Sequence, residues 1–339
     1  MRMRSSHSQA LLILLLSSLI AGAANAEPSR DPTNKDCHPG DKAALLAIMA
    51  ALGQPEPPYP DNFCCDWYYV ICDDLGRVVG LELFQHAELT GTIPDAVGDL
   101  THLKDLLLHK LPALTGPIPP AIGKLTDLTM LRIFWTGVSG PVPSFLGALK
   151  KLTFLDLSFN SLSGAIPASL GSIPNLSGIN LSRNRLTGAI PSFISKTADQ
   201  VYLWLSHNNL TGPIPAEFAA VNFAHLDLSR NALTGDASGL FGGGKELDYV
   251  DLSRNSLDFD LSGVVFPAGV ESVDLSHNAI RGRIPAQVAY VDDLRYFNVS
   301  YNRLCGALPT GGKMPEFDLY DYQHNRCLCG APLFRPCKK

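Results

Sequence analysis

From Leu81 onward, apolar positions recur with a double rhythm. Within a short run, leucines alternate with polar residues, as in Leu155-Asp156-Leu157; between runs the whole pattern returns after about two dozen residues. Strict alternation predicts a strand with its leucines turned inward and the intervening residues turned outward. One full unit reads Leu152-Thr-Phe-Leu155-Asp-Leu157-Ser-Phe-Asn160-Ser-Leu162-Ser-Gly164-Ala-Ile166-Pro167. The apolar residue at its fourth position recurs as Leu81, Leu106, Leu131, Leu155, Ile179, Leu203, Leu226, Val250, Val273 and Phe297. The spacings are 25, 25, 24, 24, 24, 23, 24, 23 and 24 residues.

Ten copies of LxxLxLxxNxLxGxIP are a leucine-rich repeat of the plant extracellular type. The expected fold is therefore a leucine-rich repeat solenoid, an α/β right-handed superhelix with ten strands paired in parallel on its concave face. The recurring Asn160, Asn184, Asn208, Asn231, Asn255, Asn278 and Asn302 are expected to be buried and to satisfy backbone groups that water cannot reach. Gly at the thirteenth position permits a tight turn, and the Pro that follows ends strand pairing. A single repeat cannot bury its own face, so both ends need caps. Helical spacing of Ala44, Leu45, Ile48, Met49 and Leu52 predicts a capping helix over 41–52. The boundaries that follow are 1–26 signal peptide, 27–77 N-terminal cysteine cap with helix, 78–309 repeats and 310–339 C-terminal cysteine cap.

Arg2 and Arg4, the Leu-rich run from Ala10 to Ala21, and Ala24-Asn25-Ala26 have the order of a cleavable secretory signal. That run is too short to span a membrane comfortably. The eight cysteines fall into two groups, Cys37, Cys64, Cys65 and Cys72 at one end and Cys305, Cys327, Cys329 and Cys337 at the other. An even count in a secreted chain reads as disulfides, with three possible pairings inside each group. Near neighbours are poorly placed to bridge each other, which favours Cys37–Cys64, Cys65–Cys72, Cys305–Cys327 and Cys329–Cys337. No CxxC spacing supports zinc, and neither a metal nor another cofactor is expected. Net charge is −5, and falls to −7 once Arg2 and Arg4 are removed, which argues against a nucleic-acid binder. The expected protein is a secreted monomer without a membrane span.

Enzymatic chemistry has no foothold. GxSxG and HExxH motifs are missing, and the run Gly239-x4-Gly244-Lys245 continues with Glu246 where a phosphate loop needs Ser or Thr. Binding chemistry is better represented. The central outward position of each strand holds Glu82, Leu107, Arg132, Asp156, Asn180, Trp204, Asp227, Asp251, Asp274 and Asn298, a column that turns acidic toward its C-terminal half. Met130, Phe134, Trp135, Phe154, Phe159, Tyr202, His225, Tyr249, Tyr296 and Tyr301 depart from the usual repeat filler, and aromatics on a rigid sheet are typical interface anchors. Beside them runs a basic column of Arg183, His207, Arg230, Arg254 and His277; Arg183, Arg230 and Arg254 suit the regularly spaced carboxylates of pectin. Asn175, Asn180, Asn209 and Asn298 head Asn-x-Ser/Thr sequons, of which Asn175 and Asn209 lie off the strand centres and are the better glycan acceptors. An ice-binding array of regular Thr or Asn is not evident among these varied aromatics.

The chain resembles the plant polygalacturonase-inhibiting proteins. The resemblance is carried by Cys37…Asp41-Lys42-x-Ala44-Leu45-Leu46, by Cys64-Cys65-Asp66-Trp67-x-x-Val70-x-Cys72, and by the uneven ten-repeat spacing. The irregular Gly235-Asp-Ala-Ser…Leu240-Phe241, the run Asp251-Leu-Ser-Arg-Asn-Ser-Leu257-x-Phe259-Asp-Leu261, and the tail Leu304-Cys305-Gly306…Cys327-Leu-Cys329-Gly330-x-Pro332 complete it. Tyr69 stands where the family usually has Gly, a change expected to alter the N-cap surface. The resemblance implies inhibition of fungal endo-polygalacturonases in the plant cell wall, through a concave face that obstructs the enzyme's cleft, and also attachment to pectin. On this reading Arg132, Phe134, Trp135, Asp156, Phe159, Tyr202, Trp204, His225, Asp227, Tyr249, Asp251 and Asp274 meet the partner. The alternative is a soluble binding module in receptor or developmental signalling.

Overall fold

Leucines that alternate with polar residues become the strands that the pattern predicts. The computed structural model describes residues 37–54, 63–192 and 200–337; the expected signal segment lies outside them. The strands Val78–Phe84, Asp105–Gly116, Met130–Pro141, Phe154–Asp156, Gly178–Asn180, Val201–Trp204, Phe223–Asp227, Tyr249–Asp251, Ser272–Asp274 and Tyr296–Asn298 lie side by side. Pairing is parallel, and one apolar row runs Leu106, Leu131, Leu155, Ile179, Leu203, Leu226, Val250, Val273, Phe297 in register. No member of that row is more than 1% exposed. Burial of one row per strand forbids a one-residue slip, because a slip would turn every leucine outward.

A second strand in each turn was not expected. Ser161–Gly164, Arg185–Gly188, Asn209–Pro213 and Ala232–Gly235 pair in parallel along the flank of the solenoid. Its cause is a second alternation: Leu186 is buried between exposed Arg185 and Thr187, and Leu210 between exposed Asn209 and Thr211. The Ile-Pro step then ends pairing and opens a short 3-10 turn, as at Asp95–Asp99, Ala168–Ser172 and Ala286–Tyr290. Strands pack about 4.8 Å apart, closer than these bulkier turns can, so the long sheet forms the concave side.

The repeated asparagines join one turn to the next. Asn208 Nδ2 donates to the carbonyls of Leu181, Leu205 and Ser206, and its Oδ1 accepts from Leu186 N at 3.0 Å. Asn184, Asn231, Asn255, Asn278 and Asn302 repeat the arrangement. Only Asn302 is fully buried; the others are half-buried, because the amide head enters the turn while the stem stays at its edge. The ladder also continues one turn beyond the expected repeats: Asn325 Nδ2 donates to Val299 O and Tyr322 O, and Oδ1 accepts from Leu304 N.

The caps close both ends of the sheet. The helix α1, Pro39–Ala51, buries Ala44, Leu45, Ile48 and Met49 against the first repeat. Asp41, 1% exposed, accepts from Arg77 Nε, Arg77 Nη2 and Val78 N, each at 2.9 Å. Burial alone would raise its pKa; the hydrogen bonds from Arg77 and Val78 and the Arg77 charge together hold it below the ordinary value. Strand Val70–Cys72 pairs antiparallel with Val78–Phe84 and covers the open edge. Disulfides join Cys37 to Cys64, Cys65 to Cys72, Cys305 to Cys327 and Cys329 to Cys337. Tyr69 does not alter the cap surface as expected. It is buried, with its ring 6.0 Å from that of Trp67, so the residue in the glycine's place extends the core.

Replacing Asn208 by Ala leaves Leu186 N without its partner and takes one donor from each of the Leu181, Leu205 and Ser206 carbonyls, which keep Asn184 Nδ2, Asn231 Nδ2 and Arg183 N. The expected cost is about 2–4 kcal/mol, read as a lowered urea midpoint of unfolding. Asn209→Ala, at an exposed neighbour, serves as the control and is expected to shift the midpoint far less.

Candidate protein-binding face

Two columns of side chains stand on the concave sheet, and a third borders it. The outermost strand position brings Met130, Phe154, Gly178, Tyr202, His225, Tyr249 and Tyr296 into line; the next holds Arg132, Asp156, Asn180, Trp204, Asp227, Asp251, Asp274 and Asn298. Every interface residue expected from the sequence therefore lies on or beside this one face. Gly178 leaves room for the Phe154 ring, which an added Cβ would strike.

The N-terminal part of the face contains its own ion cluster. Arg132 Nη2 lies 2.6 Å from Asp105 Oδ2 and 3.4 Å from Glu82 Oε1. Burial raises the pKa of Asp105 and Glu82, in Glu82 with help from the Asp105 charge, while Arg132 opposes both shifts. Asp156 is raised by burial too, against hydrogen bonds from Ser158 and Asn180. His109 stacks on Phe134 at 4.1 Å, and burial pulls its pKa down to about 4. Glu82, Asp105 and His109 were not among the expected contact residues. Asp105 and His109 occupy outward strand positions, so alternation alone could have found them.

The C-terminal part is acidic and aromatic. Asp227, Asp251 and Asp274 are aligned on neighbouring strands, and each uses Oδ1 to accept from the backbone N–H two residues on, at Ser229, Ser253 and Ser276. The recurring Leu-Asp-Leu-Ser thus has a local structural purpose, a carboxylate holding the strand end, and still presents charge outward. Among the described residues none of the three joins an ion pair. Rings fill the adjoining column: His225 stacks on Tyr249 at 4.1 Å, and Trp204 lies 4.8 Å from His225. Burial draws the His225 pKa down to about 4. Tyr296 Oη donates to Asp274 Oδ2 at 3.3 Å.

The bordering column is built on unusual backbone. Lys110, Trp135, Phe159, Arg183, His207, Arg230, Arg254, His277 and Tyr301 all have φ between +53° and +56°, a region that bulky side chains rarely enter. A ladder of hydrogen bonds imposes it, including Arg183 N to Ser206 O, His207 N to Ser229 O and Arg230 N to Ser253 O. Identical backbone aligns the side chains face to face: Trp135 on Phe159 at 4.1 Å, the Arg183 guanidinium over Phe159 at 5.0 Å, His277 on Tyr301 at 4.1 Å. Arg183, Arg230 and Arg254 form no ion pair among the described residues, so they do not neutralise the Asp column.

The sequons separate as their positions suggest. Asn180 and Asn298 use their amides within the sheet, Asn180 with Ser182 and Asp156, Asn298 with Ser300 and Tyr296. Asn175 and Asn209 are exposed. Hydroxyl groups, which the varied aromatics obscured in the sequence, do recur elsewhere: Thr115, Ser163, Thr187, Thr211 and Thr234 are exposed along the flanking sheet.

A disulfide-capped stack of parallel turns with one varied, polar-aromatic face defines a plant-type leucine-rich repeat binding protein. The Leucine Rich Repeat family model matches residues 151–173, 175–197 and 201–221. A solved plant ice-binding protein is 45% identical, with a TM-score of 0.84, over 89% of this chain and 99% of that one. Polygalacturonase inhibitor 1 of Arabidopsis thaliana is 70% identical over 40 residues, 12% of either chain. The polygalacturonase inhibitor of Vitis vinifera is 50% identical over 129 residues, 37% of this chain and 38% of its own. The chain is a plant-type leucine-rich repeat protein, similar over these segments to the polygalacturonase inhibitors. The matched segments span 12% to 38% of these two inhibitors' own lengths. Among the described residues no helix is long and apolar enough to cross a membrane.

Asp251 links the face to pH. Burial, reinforced by Asp227 and Asp274, pushes its pKa up to about 6, while Ser253 opposes the shift. In the unfolded chain an Asp titrates near 4. The folded form therefore binds the proton more tightly, and this group's contribution to stability is fullest below about pH 4 and is lost as pH rises through about 6. Asp251→Asn, made in a host that does not glycosylate so that the Asn-Leu-Ser sequon it creates stays bare, is expected to raise stability at pH 7 by about 1–2 kcal/mol and to leave it nearly unchanged at pH 4. Urea unfolding at the two pH values measures the difference.

Proposed function

We propose that the protein is an extracellular inhibitor of fungal endo-polygalacturonases in the plant cell wall. It binds the enzyme through the concave face and obstructs its substrate cleft without performing chemistry. The observation that carries this reading is the carboxylate row Asp227, Asp251 and Asp274, in no ion pair among the described residues, beside Trp204, His225 and Tyr249, on a chain similar over part of its length to the inhibitors. An enzyme that cuts a polyanion presents cations around its cleft, and a fixed acidic row speeds and orients the encounter. Such an enzyme needs a carboxylate pair in contact with the sugar chain, so a protein seated over the cleft stops turnover. Arg183, Arg230 and Arg254, in no ion pair among the described residues and standing along one edge with His207 between the first two, support an accessory contact with pectin. Glycans at Asn175 and Asn209 would leave the concave face clear. The signalling-module alternative has weaker support, since the inhibitor relatives match over longer stretches.

The deciding measurement is reducing-end release from polygalacturonic acid by a panel of fungal endo-polygalacturonases, with and without the secreted protein. Dose-dependent loss of activity is expected, with Trp204→Ala or Asp227→Lys weakening it at least 10-fold, the scale of an interface anchor. No inhibition by folded protein across a broad panel refutes the reading.

One observation favours a second function, adsorption to ice: the match to a plant ice-binding protein along nearly its whole length. The exposed hydroxyls of the flanking sheet, Thr115 to Thr234, are the regular array that such adsorption calls for. The same preparation assayed for ice recrystallisation separates the two; activity on ice with none on any enzyme selects the second.

A further inference from the structure

The two parts of the concave face present different chemistry. In the C-terminal part, carboxylates stand unpaired and the rings between them are half-buried against one another. In the N-terminal part, the Arg132 guanidinium is held between Glu82 and Asp105. Asp156 is engaged by Ser158 N and Asn180 Nδ2. What remains outward there is the exposed Lys110 and two large apolar side chains. Met130 is 37% exposed and Trp135 50% exposed, and Trp135 rests on Phe159, itself covered on its far side by Arg183.

Trp135 differs from an incidental surface ring. Its left-handed backbone, φ +54°, is set by the hydrogen bond from its own N–H to Ser158 O at 3.2 Å. Stacking then fixes the ring plane, so little conformational freedom remains to be lost on binding. A large, pre-oriented aromatic with half its surface in water fits the profile of an interface hot spot.

We propose that the concave face docks a polygalacturonase at two functionally distinct points: a carboxylate row that steers the enzyme's basic cleft, and a separate Trp135–Phe159 anchor that holds an apolar side chain from the cleft rim. This rests on the inhibitor reading above and adds a division of labour to it. Charge pairs at a partly exposed surface act chiefly on the association rate and are screened by salt. Buried aromatic contact acts on the dissociation rate and is nearly indifferent to salt. The two points lie on opposite sides of Gly178 and Asn180, so each can be altered without touching the other.

Surface-binding kinetics against one inhibited polygalacturonase, over a range of ionic strength, test the division. Trp135→Asn removes the ring while suiting the left-handed backbone, which Asn tolerates. It is expected to speed dissociation about 10-fold or more, with the salt dependence of association unchanged. Trp135→Phe keeps a stacking plane and should dissociate within a few-fold of the parent. Asp227→Ser with Asp274→Ser, which removes both charges without creating an Asn-x-Ser sequon, is expected to slow association and flatten its salt dependence. Thermal melting confirms that each variant is folded. Dissociation of Trp135→Asn within two-fold of the parent overturns the proposal while leaving inhibition intact. So does binding of short oligogalacturonates that depends on Trp135, since the anchor would then be a sugar platform. Failure of the parent protein to bind any enzyme in the panel overturns the inhibitor reading and this proposal together.

Discussion

The amide of one asparagine per turn is the contact on which the solenoid depends. At the end of each strand the backbone bends sharply and leaves carbonyls and an N–H that neither sheet can satisfy. Asn208 supplies three donor contacts and one acceptor contact there, reaching back into the preceding turn. Buried polar groups without partners are among the costliest defects a fold can carry. The leucine rows provide the driving force for stacking and already exclude a one-residue slip. The asparagine ladder adds bonds between defined atoms of consecutive turns.

Fixed register in turn produces the face. Once Leu203, Leu226 and Val250 are aligned, Trp204, Asp227 and Asp251 are aligned as well, and so are His207, Arg230 and Arg254 beyond them. Columns of like charge are locally unfavourable: the pKa of Asp251, raised chiefly by burial, is raised further by Asp227 and Asp274. The backbone of the bordering column carries a cost of its own. Its left-handed conformations persist only because inter-turn hydrogen bonds over-determine them. Conformational strain and charge repulsion therefore gather along the same surface, while the leucine interior behind it stays regular.

Most of the fold was legible in the sequence, because a leucine at every second position and a return every 23 to 25 residues are strong signals of periodic burial. The capping helix was legible from its apolar spacing. The flanking strands are less legible, because an alternation as short as Arg185-Leu186-Thr187 fits a turn as well as a strand. Two features depended on partners remote in the chain. The salt bridge of Asp41 with Arg77 spans 36 residues, and the Arg132 cluster draws on three different turns. The outward columns could be enumerated from period alone. Whether each member is exposed, stacked or paired could not, since that depends on the side chain one turn away.

The even stacking has a geometric consequence for evolution of the face. Because turns are interchangeable in the Asn and Leu ladders, a whole repeat can be gained or lost between Phe159 and Asp227 without breaking the pattern on either side. Any such change moves the aromatic and acidic clusters apart or together by one strand spacing, about 4.8 Å. Separation along this surface is thus quantised. Partners with a different distance between their apolar and basic features would be matched by counting turns, with the side chains themselves left as they are.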